Sequence, residues 1–280
     1  MTTVSISAAD VNKLRKQTGA GMMDCKKALV EANGDFEQAI DYLRKKGQKV
    51  AMNRSDRDAN EGLIIAKVTA DNKRANMICL NCETDFVAKN QDFIDYANQL
   101  ADLAVANDAK NVDEFLSLEL EGKSVKDGLL DQVGKIGEKI EVSAVERVEA
   151  AVVIAYNHPG NKLASILGLS SDTPANIEEI GKDIAMQIAA MAPVAIDKDD
   201  VDATIIEREL EVGREQAREQ GKPEEMIEKI ATGKLNKFYK ESTLLNQAFI
   251  KDEKKTIRKL LEDTEKDLTI TAFKRLQLGN

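Results

Sequence analysis

The sequence predicts an α+β fold: a three-helix domain, then two related strand–strand–helix–strand subdomains, the second interrupted by an antiparallel helical hairpin. Three observations predict it. Helical spacing broken by glycines fills the first 50 residues. Beyond them an internal repeat pairs residues 88 apart. The second copy is longer by about 40 residues that carry their own helical period.

The first domain covers residues 1–50. Ser7 is an N-cap with Asp10 three residues on, and Val11 and Leu14 supply an apolar face. Gly19 and Gly21 end this helix. A second runs from Met22 to about Ala32 and stops at Asn33-Gly34, residue types that accept left-handed backbone. Asp35 caps a third, with Phe36, Ala39, Ile40 and Leu43 at helical spacing, ending near Gly47. Residues 51–60 are polar, charged and aperiodic, which predicts a linker.

The repeat occupies residues 61–150 and then 151–201 with 242–280. At the 88-residue shift Ile78 meets Ile166, Asp95 meets Asp183, and Ala97 meets Ala185; Gln99, Ala101 and Ala104 meet Gln187, Ala189 and Ala192. Each copy reads strand, turn, strand, helix, with turns at Asp71-Asn72-Lys73 and His158-Pro159-Gly160. The helices are expected to bury Phe93, Tyr96, Leu100 and Ala104, and Ile184, Ile188 and Met191. Closing strands match at a shift of 128, Ile140-Val142-Ala144 with Leu268-Ile270-Ala272, which leaves the 40-residue excess. Residues 202–241 supply it. Ile206, Leu210, Gly213 and Ala217 stripe one helix, Gly221-Lys222-Pro223 turns the chain, and Met226, Ile227, Ile230 and Leu235 stripe another. Such a projecting hairpin also offers a surface for self-association.

Composition narrows the function. The chain has 280 residues, 42% hydrophobic and 32% charged, ample for two or three cores. No basic-then-apolar leader stands in Met1 to Asn12, and no run nears the roughly 20 apolar residues of a membrane span. These point to the cytoplasm and away from membranes. A net charge of −9 and a pI near 5.0 argue against a DNA binder. Residues 1–57 nevertheless hold eleven Lys/Arg against seven Asp/Glu, a basic module on an acidic body.

Catalytic and cofactor chemistry is sparse. Cys79-Leu80-Asn81-Cys82 is formally a CxxC, but in a strand residues three apart face opposite ways and share neither a bridge nor a metal. Gly19-Ala20-Gly21 follows a helix instead of a strand, so it is no phosphate cradle. His158 is the only histidine and sits beside Pro159 at a turn. The residues support no catalytic set, cofactor or metal site; the chain reads as a binding protein and not an enzyme.

The most informative stretch is Cys79 to Lys89, Cys-Leu-Asn-Cys-Glu-Thr-Asp-Phe-Val-Ala-Lys. Its Thr84-Asp85-Phe86-Val87 core lies between a buried strand and an amphipathic helix, where functional residues gather. Two readings stay open from these residues: a functional loop, or a helix start with Asp85 as N-cap and Phe86 folded back as a hydrophobic staple. A second motif runs from Leu14 to Leu29, Leu-Arg-Lys-Gln-Thr-Gly-Ala-Gly-Met-Met-Asp-Cys-Lys-Lys-Ala-Leu. In order and spacing the two closely resemble the signature regions of the bacterial elongation factor Ts family, guanine nucleotide exchange factors for the translational GTPase elongation factor Tu.

The resemblance implies a ubiquitin-associated-like three-helix module, a two-lobed core and a coiled-coil insertion. It implies that Thr84, Asp85, Phe86 and Val87 bind elongation factor Tu, in its GDP-bound and nucleotide-free forms, and dislodge its Mg²⁺. It also makes Leu14 and His158 candidate partner contacts. Two departures stand out. Cys79 occupies a position where the family usually has Glu. The chain ends at Leu278-Gly279-Asn280, straight after its last strand, where many members carry a further helical module, so exchange is expected to rest on the N-terminal module and the core. A rival reading from another class is a ribosome- or RNA-associated protein that uses the basic module; its binding should fall steeply with salt.

Overall fold

The computed structural model describes residues 6–279; residues 1–5 and 280, on which the expectations about the chain ends partly rest, lie outside the described residues. Helices α1 (Ala8–Thr18), α2 (Met22–Glu31) and α3 (Phe36–Asn53) come first. Ser7 caps α1 in a full capping box with Asp10, and Asp35 caps α3 by accepting the Gln38 N–H at 2.9 Å. Val11, Leu14, Cys25, Ala28, Leu29 and Ala39 form their shared core. Helix α3 does not stop near Gly47 but continues to Asn53, into the stretch expected to be a linker. The reason is a second source of burial: Val50 and Ala51 pack against the core of the subdomain that follows.

That subdomain runs β1 (Glu61–Val68), β2 (Arg74–Cys82), α4 (Asp85–Ala88), α5 (Gln91–Ala106), α6 (Val112–Leu116), β3 (Glu119–Leu120), β4 (Lys123–Ser124), α7 (Val125–Ile136) and β5 (Glu141–Glu149). The next runs β6 (Val152–Asn157), β7 (Leu163–Leu169), α8 (Ile177–Met191), α9 (Ala203–Glu219), α10 (Glu224–Ser242), β8 (Ala248–Phe249), β9 (Asp252–Thr256), α11 (Ile257–Thr264) and β10 (Ile270–Gln277). The sheets are ordered β1-β2-β5 and β6-β7-β10. In each, the first strand, the second and the closing strand are neighbours in that sequence, and β7 pairs antiparallel with both β6 and β10. The same topology thus occurs twice, with α9 and α10 as the hairpin inserted in the second copy.

The duplication reaches further than the sequence period suggests. Each copy inserts a two-stranded ribbon and one more helix before its closing strand. Ser124 caps α7 and Thr256 caps α11, and Val125 and Leu129 match Ile257 and Leu261, all four buried. Two expected core positions are corrected. Met191 is 49% exposed, and Met226 of the hairpin stripe is 44% exposed. Tyr96 is only partly buried against its core. In the hairpin Ala231, and not Met226, faces Gly213, because close helix contact there favours the smaller side chain.

Residue contacts divide the chain into two compact units, residues 6–65 with 78–146, and residues 66–77 with 147–277. Helices α1–α3 group with the first sheet core. Within that unit α3 crosses α7 where two glycines meet: a Cβ on Gly47 would stand 2.8 Å from the Leu130 carbonyl oxygen, and one on Gly134 3.1 Å from the Gly47 Cα. Only backbone fits there.

Candidate functional site

Strand β2 delivers the chain to the site. Ile78, Leu80 and Cys82 enter the first sheet core together with Phe93, Leu100 and Ala104 of α5. Ala75, Met77 and Cys79, on the opposite face, are buried as well. A strand covered on both faces leaves its end little freedom, and the polar segment Glu83-Thr84 emerges from that fixed end.

Thr84 caps the short helix α4: its Oγ1 accepts the Val87 N–H at 3.4 Å. The cap is therefore Thr84, not Asp85. Asp85 sits in the first turn, where a carboxylate suits the helix N-terminus, and pairs with Lys89 four residues on at 2.6 Å. Val87 turns inward against the sheet core. Phe86 does the opposite. At 83% exposure it is no staple; its ring stands in solvent.

Two carboxylates hold this turn. Glu138 Oε2 accepts the N–H groups of Glu83 and Thr84, each at 3.1 Å, and its Oε1 accepts the Thr84 hydroxyl at 2.7 Å. Glu83 in turn accepts the Lys139 N–H at 2.6 Å, and Arg54 Nη1 donates to both its oxygens at 2.7 Å. Burial pushes the Glu83 carboxyl up, but the Lys139 N–H and the Arg54 guanidinium outweigh it and hold the group below its usual range. Gly137, left-handed at φ 83°, ends α7 and swings Glu138 into place. Sequence reading missed Arg54, Glu83 and Glu138 as site residues. The contacts span 29 and up to 56 positions along the chain, and no period marks them.

The other candidates lie elsewhere. Leu14 is fully buried in the three-helix core, where it packs and exposes no surface. His158 belongs to the second compact unit, on the turn between β6 and β7. Its N–H donates to the Leu163 carbonyl at 2.9 Å, its carbonyl accepts the Asn161 N–H at 2.9 Å, and its Nδ1 lies 2.9 Å from the Tyr156 hydroxyl. The residue is exposed.

Cys79 and Cys82 are both buried and face opposite sides of β2. Cys79 donates to the Asn81 side-chain oxygen at 3.2 Å, and Ser143 donates to that same oxygen at 2.6 Å. Cys82 donates to the Thr84 carbonyl at 3.2 Å, and burial pushes its thiol up to about 12. Among the described residues no three or more His, Cys, Asp or Glu side chains are grouped to hold a metal ion, and no helix is long and apolar enough to cross a membrane.

A three-helix module, a duplicated core and an aromatic held outward on a capped turn compose one consistent picture, and comparison with known proteins places the chain among translation elongation factors. The family model for elongation factor TS matches residues 83–280. Proteins named elongation factor Ts from Christiangramia forsetii, Cytophaga hutchinsonii and Porphyromonas gingivalis are 52%, 49% and 47% identical to it. The matches cover 98–99% of this chain and 99% of each relative. The chain belongs to the elongation factor Ts family and so serves protein biosynthesis.

Proposed function

We propose that the protein is a guanine nucleotide exchange factor for elongation factor Tu, working in the bacterial cytoplasm without a catalytic group of its own. The observation that carries this reading is Phe86, 83% exposed on a rigidly capped turn with Asp85 beside it. So exposed a ring adds little burial to the fold, and its place at the tip of the motif turn is read as serving a partner pocket that receives it. The Thr84–Val87 turn is read as the wedge that enters the GTPase near its Mg²⁺ and phosphate site and disturbs metal coordination. His158 is read as a contact at a different part of the partner.

Exchange is coupling between two ligands. Factor and GDP each weaken the other's hold on the GTPase by the same factor. Nanomolar nucleotide binding is worth about 12 kcal/mol, whereas burying one phenylalanine returns roughly 1.5–3 kcal/mol. Phe86 alone cannot offset nucleotide loss. Broad contacts by α1–α3 and both sheet subdomains must hold the empty GTPase, and the wedge directs part of that binding energy to the metal site.

The test is release of a fluorescent GDP analogue from purified elongation factor Tu, chased with excess GDP, with and without this protein. Release should accelerate in proportion to added factor until it saturates, and excess GDP should dissociate the complex by the reciprocal amount. Unchanged release at saturating factor overturns the reading.

A further inference from the structure

We propose that Arg54, Glu83 and Glu138 are positioning residues that fix the Phe86 turn relative to helices α1–α3, so that both surfaces reach a partner as one preformed body. The inference rests on the exchange reading and deepens it.

The argument follows two helices to their ends. Helix α3 takes part in two cores: Ala39 and Leu43 in the three-helix core, Val50 and Ala51 against the sheet core. It passes α7 at the Gly47–Gly134 contact, where no side chain separates the backbones and any slippage would drive Cβ atoms into main chain. The first residue beyond α3 is Arg54, which contacts both oxygens of Glu83. The first residue beyond the Gly137 cap of α7 is Glu138, which takes three hydrogen bonds from Glu83 and Thr84. The ends of two helices that are locked together therefore hold one turn from two sides, and that turn carries Phe86.

Exposed ion pairs are commonly worth little. This one differs, because the Glu83 side chain is 13% exposed and the Arg54 side chain 34%. Its carboxylate also accepts a main-chain N–H, so its direction is fixed from a second side. Holding a binding group in its bound orientation beforehand removes ordering cost at the moment of binding. A wedge that must displace a metal gains directly from being aimed.

The chain contains no tryptophan, so Phe86→Trp installs a single reporter on the turn. Time-resolved fluorescence anisotropy of that reporter is compared in four backgrounds: otherwise unchanged, Arg54→Met, Arg54→Lys and Glu83→Gln. Arg54→Met should enlarge the fast local component. Glu83→Gln, which keeps the Lys139 bond but loses the charge pair, should enlarge it less. Because one nitrogen of Arg54 serves both oxygens, Arg54→Lys should restore the unchanged behaviour. In release assays on the Phe86 protein, Arg54→Met should lower the maximal stimulated rate about tenfold, leave the half-saturating concentration within about twofold, and be rescued by Arg54→Lys. Equal anisotropy in all backgrounds, or failure of Arg54→Lys to rescue, overturns the positioning role. If the unsubstituted protein itself fails to speed GDP release, the exchange reading falls while the anisotropy still decides the clasp.

Discussion

Glu83 and Glu138 exchange partners across the first unit: the Glu83 carboxylate accepts the N–H of Lys139, next to Glu138, while the Glu138 carboxylate accepts the N–H of Glu83 itself. Two like charges thus become a clasp, each stabilised by main-chain donors of the segment that carries the other, with Arg54 adding a full positive charge beside Glu83. The clasp has a pH signature. Glu83 is held below its ordinary value of 4.5, so its share of stability is complete above that value and drains away as pH falls through the lower folded value. Urea midpoints measured from pH 7 to pH 3 should show wild type more stable than Glu83→Gln at neutral pH, the gap closing below about pH 4.5. A gap that stays constant across the range would remove Glu83 from the acid response.

Tyr96 presents the opposite case. Its hydroxyl is buried with no partner, and burial raises its ionisation well above the ordinary value. A Cβ on Gly128 would stand 2.9 Å from that oxygen. Tyr96→Phe is expected to leave stability unchanged or raise it by up to ~1 kcal/mol, since an unsatisfied buried hydroxyl costs more than it returns. Gly128→Ala should destabilise the wild type through the clash but stabilise the Tyr96→Phe background by ~0.8–1 kcal/mol through helix propensity. Thermal melts of the four proteins check this; additive effects would mean the contact does not matter.

The three cysteines should be inert in the folded protein. All are buried, and the Cys79 and Cys82 thiols are both raised by burial. The thiolate is the reactive form, so attack by a disulfide reagent at pH 8 should be slow and should speed up only with denaturant. Rapid native labelling of one equivalent would contradict the buried placement.

Removing the hairpin should spare the core. Where it leaves the second unit its two ends are already tied: Val194 N–H donates to Ser242 at 2.8 Å, Leu244 N–H to Ala195 at 3.0 Å, and Leu245 N–H to Ile196 at 2.9 Å. An insertion whose ends meet closes with a short link at modest entropic cost. With residues 203–241 replaced by a short Gly-Ser link, calorimetry is expected to give one cooperative transition for the second unit. Its disappearance would make the hairpin part of that core.

What the sequence disclosed followed from periodicity and local chemistry. Ser7 with Asp10, Asp35, Gly19 and Asn33-Gly34 act within a few residues, so helix ends could be placed from them. Of the pairs at the 88-residue shift, Ile78 with Ile166, Ala97 with Ala185 and Ala101 with Ala189 are buried in both copies, so packing accounts for these, whereas Gln99 is exposed and Gln187 buried. Short elements carried too few residues to show a period: the ribbon of β3 and β4 offers only four, and Gly128 and Gly134 dilute the apolar stripe of α7. Burial was legible only as a tendency. Leu14 belongs to a sequence motif yet lies wholly inside, and Met191 fits an apolar stripe yet, as the last residue of α8, stands half outside. The turn at Thr84–Val87 was visible as a motif; the residues that hold it were not, since an ion pair across 29 positions and carboxylate-to-main-chain bonds across some 55 leave no pattern in one sequence.

Phe86 carries the last prediction. Its ring is exposed, so removing it deletes almost no packing, and substitutions at such sites usually shift stability by under roughly 0.5 kcal/mol. The duplicated fold supplies an internal control. At the 88-residue shift Asp85 and Phe86 meet Thr173 and Pro174, so the second copy joins its second strand to its helix without a counterpart of α4 and with no aromatic side chain. The scaffold therefore does not require a ring at this point. Phe86→Ala should melt within a degree or two of wild type. Under the proposed exchange role, in which a partner pocket receives the ring, stimulated GDP release should slow about tenfold, the equivalent of about 1.4 kcal/mol of lost transition-state stabilisation. Asp85→Asn should slow release less, since Thr84 still caps the turn. A Phe86→Ala protein that melts several degrees lower yet exchanges normally per folded molecule would return the ring to a structural role and leave the exposed wedge without a function.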